Sequence, residues 1–326
     1  MTANTLIGLD WGTSSLRAYL FGPDRNILSQ RETASGIQAI TDGRFREAFE
    51  SLCAAWINAE PDLPVIACGM IGSRQGWREA PYAQTPAGFD ELASALMPID
   101  LLAGRRFCIV PGVSTVGPSG THDVIRGEET QVVGALERLG LTDATIVLPG
   151  THSKWVSVRN RRLVGFRTYM TGELYAVLAR HSILGRLFAE QAAPDGPHQQ
   201  QAFTDGLQRA FDDPTGLTSL LFSVRAEGLF GCYDGQQMPA YLSGLLLGAE
   251  IAHARGTALH PGTNLEPARD AATDSSAPVT LLIGSDTLVT RYAAALERAG
   301  IDAIPVPDAP VAEGLLALAS SAGLID

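Results

Sequence analysis

The sequence predicts an α/β protein built of two related domains, and three observations support this fold class. The 326 residues are enough for two domains of ordinary size. Strand and helix patterns alternate along most of the chain, which is typical of α/β proteins. A strand–hairpin–strand–strand unit also occurs twice, since residues 12–13 align with residues 150–151 at an offset of 138 residues.

The first unit begins with three predicted strands. An apolar run predicts a buried strand at residues 5–10, and apolar residues at every other position predict a second strand at residues 16–21. A Gly-Pro-Asp sequence then predicts a turn, which leads into a third strand at residues 27–31.

A helix, two short strands and a second helix complete the first half. The helical spacing of apolar residues predicts a helix at residues 45–59, and a longer one at residues 123–139 that ends at Gly140. Short apolar runs predict buried strands at residues 65–69 and 107–111.

The second half repeats this order and ends in a helix. Its predicted elements are strands at 145–148, 154–158 and 163–168, helices at 172–181, 216–227 and 243–255, a polar surface loop at 260–278, a strand at 279–283, a helix at 287–299, a strand at 302–306 and a helix at about 310–321.

These elements predict the domain boundaries. We expect an N-terminal domain of residues 1–139, completed by the terminal helix 310–326, and a C-terminal domain of residues 140–309. The hinge is expected where the second long helix crosses the terminal helix. Gly134 and Gly314 are small enough for close packing there.

Composition and charge exclude several classes of protein. The net charge of −11 argues against nucleic acid or an anionic membrane as partner. No apolar run approaches the ~18 residues of a membrane span, and no signal peptide is expected. The four cysteines are scattered without a C-x-x-C pair, so buried free thiols are expected. A cytoplasmic location follows.

The first motif combines a carboxylate with a polar turn. Asp10 closes the first strand, and Gly12, Thr13, Ser14 and Ser15 follow it. Backbone N–H groups and hydroxyls in such a turn bind phosphate oxygens, while the carboxylate can hold Mg²⁺ through water. The alternative is an ordinary hairpin with an aspartate at its turn.

The second motif, LPGTHSKW at residues 148–155, repeats this hairpin with Leu148 in the place of Asp10. Only the first hairpin therefore carries a metal carboxylate, as expected if two hairpins bind one nucleotide. His152 or Lys154 would add positive charge at the phosphates. The alternative for Lys154 is a solvated strand residue.

Two further motifs are weaker on their own. At Gly284 and Ser285 a strand runs into a helix N-terminus, and a flat adenine ring can approach such a turn. Asp123 opens the predicted helix at 123–139, where the helix macrodipole favours an ionised carboxylate and its use as a base. The alternatives are a common strand–glycine–helix turn and a plain N-terminal aspartate.

In order and spacing, these motifs resemble the phosphate-1, connect-1, phosphate-2, adenosine and connect-2 elements of the actin/Hsp70/hexokinase sugar-kinase superfamily. Several segments also resemble one family, the 2-dehydro-3-deoxygalactonokinases of galactonate catabolism. These segments are LDWGTSSLRAYLF, GMIGSRQGW with PYAQTPAG after it, DVIRGEETQ, LPGTHSKW and FRTYMTGELY. The resemblance extends from about residue 6 to about residue 292.

The resemblance implies two related domains of the actin-like ATPase (ribonuclease H-like) type, with ATP in the cleft between them. Asp10 would hold Mg²⁺, and Asp123 would deprotonate the acceptor hydroxyl. Gly284 and Ser285 would border adenine, where many relatives have Gly-Gly. The phosphate contacts would come from both hairpins: Gly12, Thr13, Ser14, Ser15, Gly150, Thr151, His152 and Lys154.

The acceptor pocket needs a partner for a substrate carboxylate, and arginine offers a planar two-pronged donor. Arg74 and Arg126 are the candidates, with Arg17 as a third. Trp77 and Tyr82 would line the pocket, unless they belong to the core. Three acidic residues either bind hydroxyls or the metal, or are simply solvated: Glu128, Glu129 and Glu173.

We therefore expect a kinase that uses ATP and Mg²⁺ to phosphorylate the C6 hydroxyl of 2-dehydro-3-deoxygalactonate. Its partners would be the sugar acid and MgATP, and related kinases are often homodimers. Three alternatives stay open: a kinase of another sugar or sugar acid, a non-catalytic sugar sensor on the same fold, and a chaperone- or filament-like ATPase. An acceptor base at Asp123 disfavours the last.

Overall fold

The computed structural model describes residues 5–99, 106–189, 196–256 and 278–325. The chain divides into two units, one of Met1–Ala144, Ser157–Gly165 and Val306–Asp326, the other of Thr145–Val156 and Phe166–Pro305. The predicted loop at 260–278 lies outside the described residues except for residue 278. Among the helices that are described, none is long and apolar enough to span a membrane.

The chain as far as residue 139 supplies most of the first unit. Its elements are β1 (Leu6–Trp11), β2 (Leu16–Phe21), β3 (Ile27–Thr33), α1 (Phe45–Ala59), β4 (Val65–Cys68), β5 (Tyr82–Gln84), β6 (Ala87–Gly88), α2 (Phe89–Ser94), β7 (Met97–Ile99), β8 (Phe107–Ile109), β9 (Gly112–Val116), β10 (His122–Ile125) and α3 (Glu128–Leu139).

The rest of the chain supplies the second unit, together with residues 140–144, Ser157–Gly165 and the terminal segment of the first. Its elements are β11 (Ala144–Leu148), β12 (Ser153–Arg159), β13 (Arg162–Tyr169), α4 (Thr171–His181), α5 (Pro197–Asp212), α6 (Leu217–Leu229), α7 (Met238–Gly256), β14 (Thr280–Leu282), α8 (Asp286–Arg298), β15 (Ala303–Pro305) and α9 (Val311–Ser321).

The main sheet of the first unit has the strand order β3-β2-β1-β4-β8-β7. The three strands β1, β2 and β3 pair antiparallel, whereas β4 is parallel to β1 and β8 is parallel to β4. Helix α1 covers the sheet with Phe45, Phe49, Cys53 and Trp56, whose spacing places them on one face. These side chains pack into a core with the buried residues of β1 and β4.

A second six-stranded sheet has the order β15-β14-β11-β12-β13-β6. The connections β11–β12 and β12–β13 are too short for a parallel crossover, so these strands are antiparallel, while β14 is parallel to both β11 and β15. If the edge strands β7 and β6 are left aside, both sheets have the strand order third, second, first, fourth, fifth. The duplication and the two-domain α/β fold class of the actin-like type are confirmed.

The predicted start of the second long helix is wrong. Residues 122–125 form strand β10, which pairs antiparallel with β9, and α3 begins only at Glu128. Gly127 separates them with a φ of +105°, a backbone conformation that other residues rarely adopt. Since the chain must turn there, the helix cannot extend back to Asp123. Strands β10, β9 and β5 form a small third sheet, which the sequence patterns did not predict.

Helices α3 and α9 cross at two glycines. A Cβ atom on Gly134 would lie 1.7 Å from the carbonyl oxygen of Pro310, and one on Gly314 would lie 2.0 Å from that of Thr130. The predicted close packing of Gly134 and Gly314 is therefore confirmed, and it takes place inside the first unit.

The glycine crossing gives a test of the fold. Alanine at position 134 would gain helix propensity, about 1 kcal/mol, but its Cβ must push α9 away, which typically costs about 1–3 kcal/mol or more. We expect Gly134→Ala to lower the urea midpoint of unfolding. Gly256→Ala, at the end of α7 with no atom of the described residues within 4 Å of the new Cβ, should not lower it. Equal midpoints for wild type and Gly134→Ala would contradict the observed crossing.

Candidate active site

The turn between β1 and β2 presents polar groups at the end of a buried strand. The Gly12 N–H donates to the carbonyl oxygen of Ser15 at 2.9 Å and closes the turn. Thr13 and Ser14 are exposed in it, while Gly12 and Ser15 are half-buried. The turn therefore offers hydroxyls and backbone N–H groups of the kind that bind phosphate oxygens.

A segment that sequence reasoning missed supports this turn. The Ile37 N–H donates to the carbonyl oxygen of Gly12 at 3.0 Å, and the Trp11 indole donates to the carbonyl oxygen of Ser35 at 2.9 Å. A Cβ on Gly36 would lie 2.3 Å from the carbonyl oxygen of Thr13. Gly36 is the sequence signal that could have identified this segment, because only glycine lets the backbone approach Thr13 so closely.

Asp10 lies directly opposite Arg17 in the β1–β2 register. Its Oδ2 is 3.7 Å from Arg17 Nη1, and Arg17 Nε is 3.1 Å from Glu32 Oε1. Burial raises the pKa of Asp10, and the positive charge of Arg17 acts against that rise. Arg17, a predicted candidate for the substrate carboxylate, thus pairs with two carboxylates of its own sheet.

A single carboxylate at this turn suits one particular kind of metal ion. In the part of the chain that the structure describes, no three His, Cys, Asp or Glu side chains are grouped so as to hold a metal. Mg²⁺ takes one or two protein carboxylates and keeps several waters. Asp10, whose side chain is 24% exposed, therefore fits the predicted role.

Glu129 is a buried carboxylate near the same strand ends. It lies in the first turn of α3 and has no exposed surface. Its Oε2 accepts the Gly127 N–H at 2.7 Å, and its Oε1 accepts the Thr130 hydroxyl at 3.1 Å. Burial and the neighbouring charge of Glu128 raise the pKa of Glu129 to about 7. The interpretation of Glu129 as a solvated residue is therefore wrong.

Asp123 lies on strand β10 and is half-buried. It is opposite Thr115 in the register with β9, and its Oδ1 accepts the N–H of Val124 at 2.7 Å. The macrodipole argument for an ionised base at Asp123 does not apply, because α3 begins at Glu128. The same small sheet carries Tyr82 on β5, and the guanidinium of Arg126, the residue after β10, lies over the Tyr82 ring.

The two candidate arginines differ sharply in environment. The Arg74 side chain is 87% exposed, and its Nε lies 3.6 Å from Glu79 Oε1. The Arg126 guanidinium stacks on the Tyr82 ring at 4.3 Å, and its Nη2 donates to the carbonyl oxygen of Ala80 at 2.8 Å. Its Nε and Nη1 are buried, and no residue that the structure describes accepts a hydrogen bond from them.

Trp77 packs among the aromatic side chains of the first unit's core. Its ring centroid is 5.3 Å from that of Phe107, 6.2 Å from that of Phe45 and 6.3 Å from that of Trp11. The alternative that Trp77 belongs to the core therefore fits its surroundings. Tyr82, in contrast, is 41% exposed.

The second hairpin turn lies between β11 and β12, and Thr151 and His152 are exposed in it. Lys154 is only 7% exposed, and its Nζ donates to the carbonyl oxygen of His152 at 2.7 Å. The interpretation of Lys154 as a solvated residue is therefore wrong. His152 Nε2 is also paired with the Glu173 carboxylate.

The start of α4 packs against this second turn. The Glu173 N–H donates to the carbonyl oxygen of Thr151 at 2.9 Å. A Cβ on Gly172 would lie 2.5 Å from the carbonyl oxygen of Gly150. The sequence predicts that Glu173 binds hydroxyls or the metal, or that it is solvated. In the structure Glu173 is attached to the second turn.

The turn from β14 into α8 lies beside the second hairpin. A Cβ on Gly284 would be 3.5 Å from the carbonyl oxygen of Pro149, and the Ile283 N–H donates to that of Val147 at 3.0 Å. Ser285 occupies the N-cap position of α8 and is exposed. The second unit therefore brings its two predicted nucleotide-binding turns together.

Known proteins resemble this chain over nearly its whole length. The 2-keto-3-deoxy-galactonokinase family model matches residues 10–318. A protein of Rhizobium meliloti (strain 1021), named as a probable 2-dehydro-3-deoxygalactonokinase, is 39% identical over 98% of this chain and 97% of its own. The 2-dehydro-3-deoxygalactonokinase of Escherichia coli (strain K12) is 34% identical over 94% of each chain.

Structural similarity agrees with these sequence matches. The crystal structure of a Sinorhizobium meliloti protein, named as a putative 2-dehydro-3-deoxygalactonokinase, superposes with a TM-score of 0.82. It is 37% identical and covers 97% of this chain and 98% of its own. The chain therefore belongs to the 2-keto-3-deoxy-galactonokinase family.

Proposed function

We propose that this protein transfers the γ-phosphoryl group of ATP to the C6 hydroxyl of 2-dehydro-3-deoxygalactonate, forming 2-dehydro-3-deoxy-6-phosphogalactonate in galactonate catabolism. The observation that carries the proposal is the similarity, over at least 94% of each chain, to two curated relatives that bear the name of this activity. We also propose a cytoplasmic location and a homodimer. Size-exclusion chromatography with light scattering tests whether the protein is a homodimer.

The two hairpins support a role in binding the phosphates of ATP. Asp10 would hold Mg²⁺, which when bound offsets the negative charge of the phosphates. The exposed Thr13 and Ser14 would donate to phosphate oxygens from the first turn. From the second, Thr151 and His152 would do the same. Catalysis would then consist largely of positioning and electrostatic stabilisation.

Arg126 is the better candidate for the substrate carboxylate. Arg126 Nε and Nη1 are buried and lack a hydrogen-bond partner among the residues that the structure describes, which is costly unless an anion accepts from them. A carboxylate oxygen can accept a charge-assisted hydrogen bond from either nitrogen. Arg74 is exposed and has Glu79 beside it, so its guanidinium has less need of a substrate partner. Tyr82, which stacks on Arg126, would line the same pocket.

Asp123 remains the proposed base, and its removal is a direct test. We expect Asp123→Asn to bind ATP and the sugar acid normally but to lower kcat by at least ~10²-fold, the typical contribution of a general base. Steady-state kinetics and calorimetric binding measure the two effects. Asp24→Asn, in the exposed turn after β2, is the matched control and should leave kcat unchanged. Near-normal turnover of Asp123→Asn would remove Asp123 from the mechanism.

The metal role of Asp10 gives a second test. We expect Asp10→Ala to abolish Mg²⁺-dependent phosphorylation, because Leu148 occupies the matching place in the second hairpin and supplies no carboxylate. Activity is measured across a Mg²⁺ titration. Glu32→Gln removes the other carboxylate beside Arg17 and should keep activity. Full activity of Asp10→Ala at ordinary Mg²⁺ would show that another residue holds the ion.

Acceptor choice gives a third test. A charge-assisted pair is worth roughly 1.5–3 kcal/mol, or about 10–150-fold in affinity. Arg126→Ala should raise KM for the sugar acid by that factor with little change in KM for ATP, whereas Arg74→Ala should change neither. Wild-type kcat/KM should also be far higher for 2-dehydro-3-deoxygalactonate than for glucose or galactose. A neutral hexose as the better substrate would refute the carboxylate pocket.

A further inference from the structure

Glu250, in the middle of α7, is a buried carboxylate that no sequence motif identified. It is 3% exposed. Its Oε1 accepts the Ser153 hydroxyl at 2.5 Å and the Trp155 indole N–H at 2.8 Å. Its Oε2 accepts the Tyr292 hydroxyl at 3.0 Å and the hydroxyl of Thr171. One side chain thus joins α7 to β12, α4 and α8.

The four donors to Glu250 are all electrically neutral groups. A carboxylate loses its hydration when buried, and apolar residues of similar volume would avoid that cost. Burial accordingly raises the pKa of Glu250, while the hydrogen bonds act in the opposite direction. The network fixes the geometry of each donor, and apolar packing would not do so.

Three of the four donors lie in or beside segments that form the proposed nucleotide-binding turns. Ser153 directly follows His152 in the second hairpin. Thr171 opens α4, whose next two residues pack against the same turn. Tyr292 lies on α8, the helix that begins after Gly284 and Ser285. The carboxylate therefore fixes three segments that converge on the second unit's nucleotide-binding turns.

We propose that Glu250 is a positioning residue that holds the second phosphate hairpin and helix α8 in the geometry required for nucleotide binding. The proposal rests on the proposed function, because it assumes that these turns bind ATP. Glu250 itself is too deeply buried to touch the nucleotide. Its effect passes through Ser153, Thr171 and Tyr292.

The hydrogen-bond chemistry predicts which substitutions Glu250 tolerates. The Trp155 indole can only donate, so an acceptor must remain at the Oε1 position. In Glu250→Gln, the amide oxygen can take that position, and the amide NH₂ can donate to the hydroxyls of Thr171 and Tyr292. Glu250→Met has similar length but provides no comparable acceptor, which leaves buried donors unpaired. Glu250→Gln should therefore keep the nucleotide affinity that Glu250→Met loses.

The test measures ATP and ADP binding by calorimetry, KM for each substrate, and Tm. We expect Glu250→Met to raise Kd for nucleotide at least about 10-fold, or about 1.4 kcal/mol of binding free energy, because its donors no longer hold the nucleotide-binding turns, and to leave KM for the sugar acid unchanged. Glu250→Gln should stay close to wild type. Leu207→Ala creates a cavity in the core of the second unit and is the control for lost stability. It should lower Tm without changing Kd for nucleotide.

Two results would overturn the proposal. One is wild-type nucleotide affinity in folded Glu250→Met, and the other is an equal loss of affinity in Leu207→Ala, which would show a general effect of stability. If Glu250→Met does not fold, Tyr292→Phe, which removes one donor and keeps the ring, is judged by the same criterion. A wild type that binds ATP but does not phosphorylate the sugar acid would refute the proposed acceptor and leave the test of Glu250 valid.

Discussion

The hydrogen bonding of β1 along both of its edges is the constraint on which the candidate site of the first unit depends. Strand β2 pairs with one edge antiparallel and β4 with the other in parallel. The end of β1 therefore carries the polar turn, and Cys68 at the end of β4 lies beside Asp10. A Cβ on Gly127 would lie 3.2 Å from the Cα of Gly69, the residue after β4. Helix α3 therefore begins close to the ends of β1 and β4. Ligands of α/β sheets typically bind where such strands end.

Buried ionisable groups mark the places where the fold departs from simple apolar packing. Glu129 is held by the N–H of Gly127 and the hydroxyl of Thr130, and Glu250 by four neutral donors. Arg126 differs, because its Nε and Nη1 have no hydrogen-bond partner within the described part of the chain. Satisfied buried groups fix geometry, whereas an unsatisfied one is costly until a partner binds. This difference separates the proposed positioning role of Glu250 from the proposed binding role of Arg126.

Most of the regular structure was predictable because its signals are local. Strand β2 and helix α1 have the predicted bounds, and the strands of the second unit lie within about two residues of theirs. The start of α3 was missed because the positive φ of Gly127 depends on its approach to Gly69. Helix α5 was missed because its buried face consists largely of the small residues Ala202, Gly206 and Ala210, which give a weak apolar pattern.

The sequence by itself determined the α/β class, the duplicated unit, both hairpin turns and the likeness to one kinase family. These depend on apolar periodicity and on glycine and hydroxyl residues that are neighbours in the chain. Only the tertiary structure decided that Nε and Nη1 of Arg126 are buried while Arg74 is exposed, that Lys154 is buried, and that four donors surround Glu250. Burial and hydrogen-bond partners come from residues far apart in sequence, whose pairing no local pattern specifies.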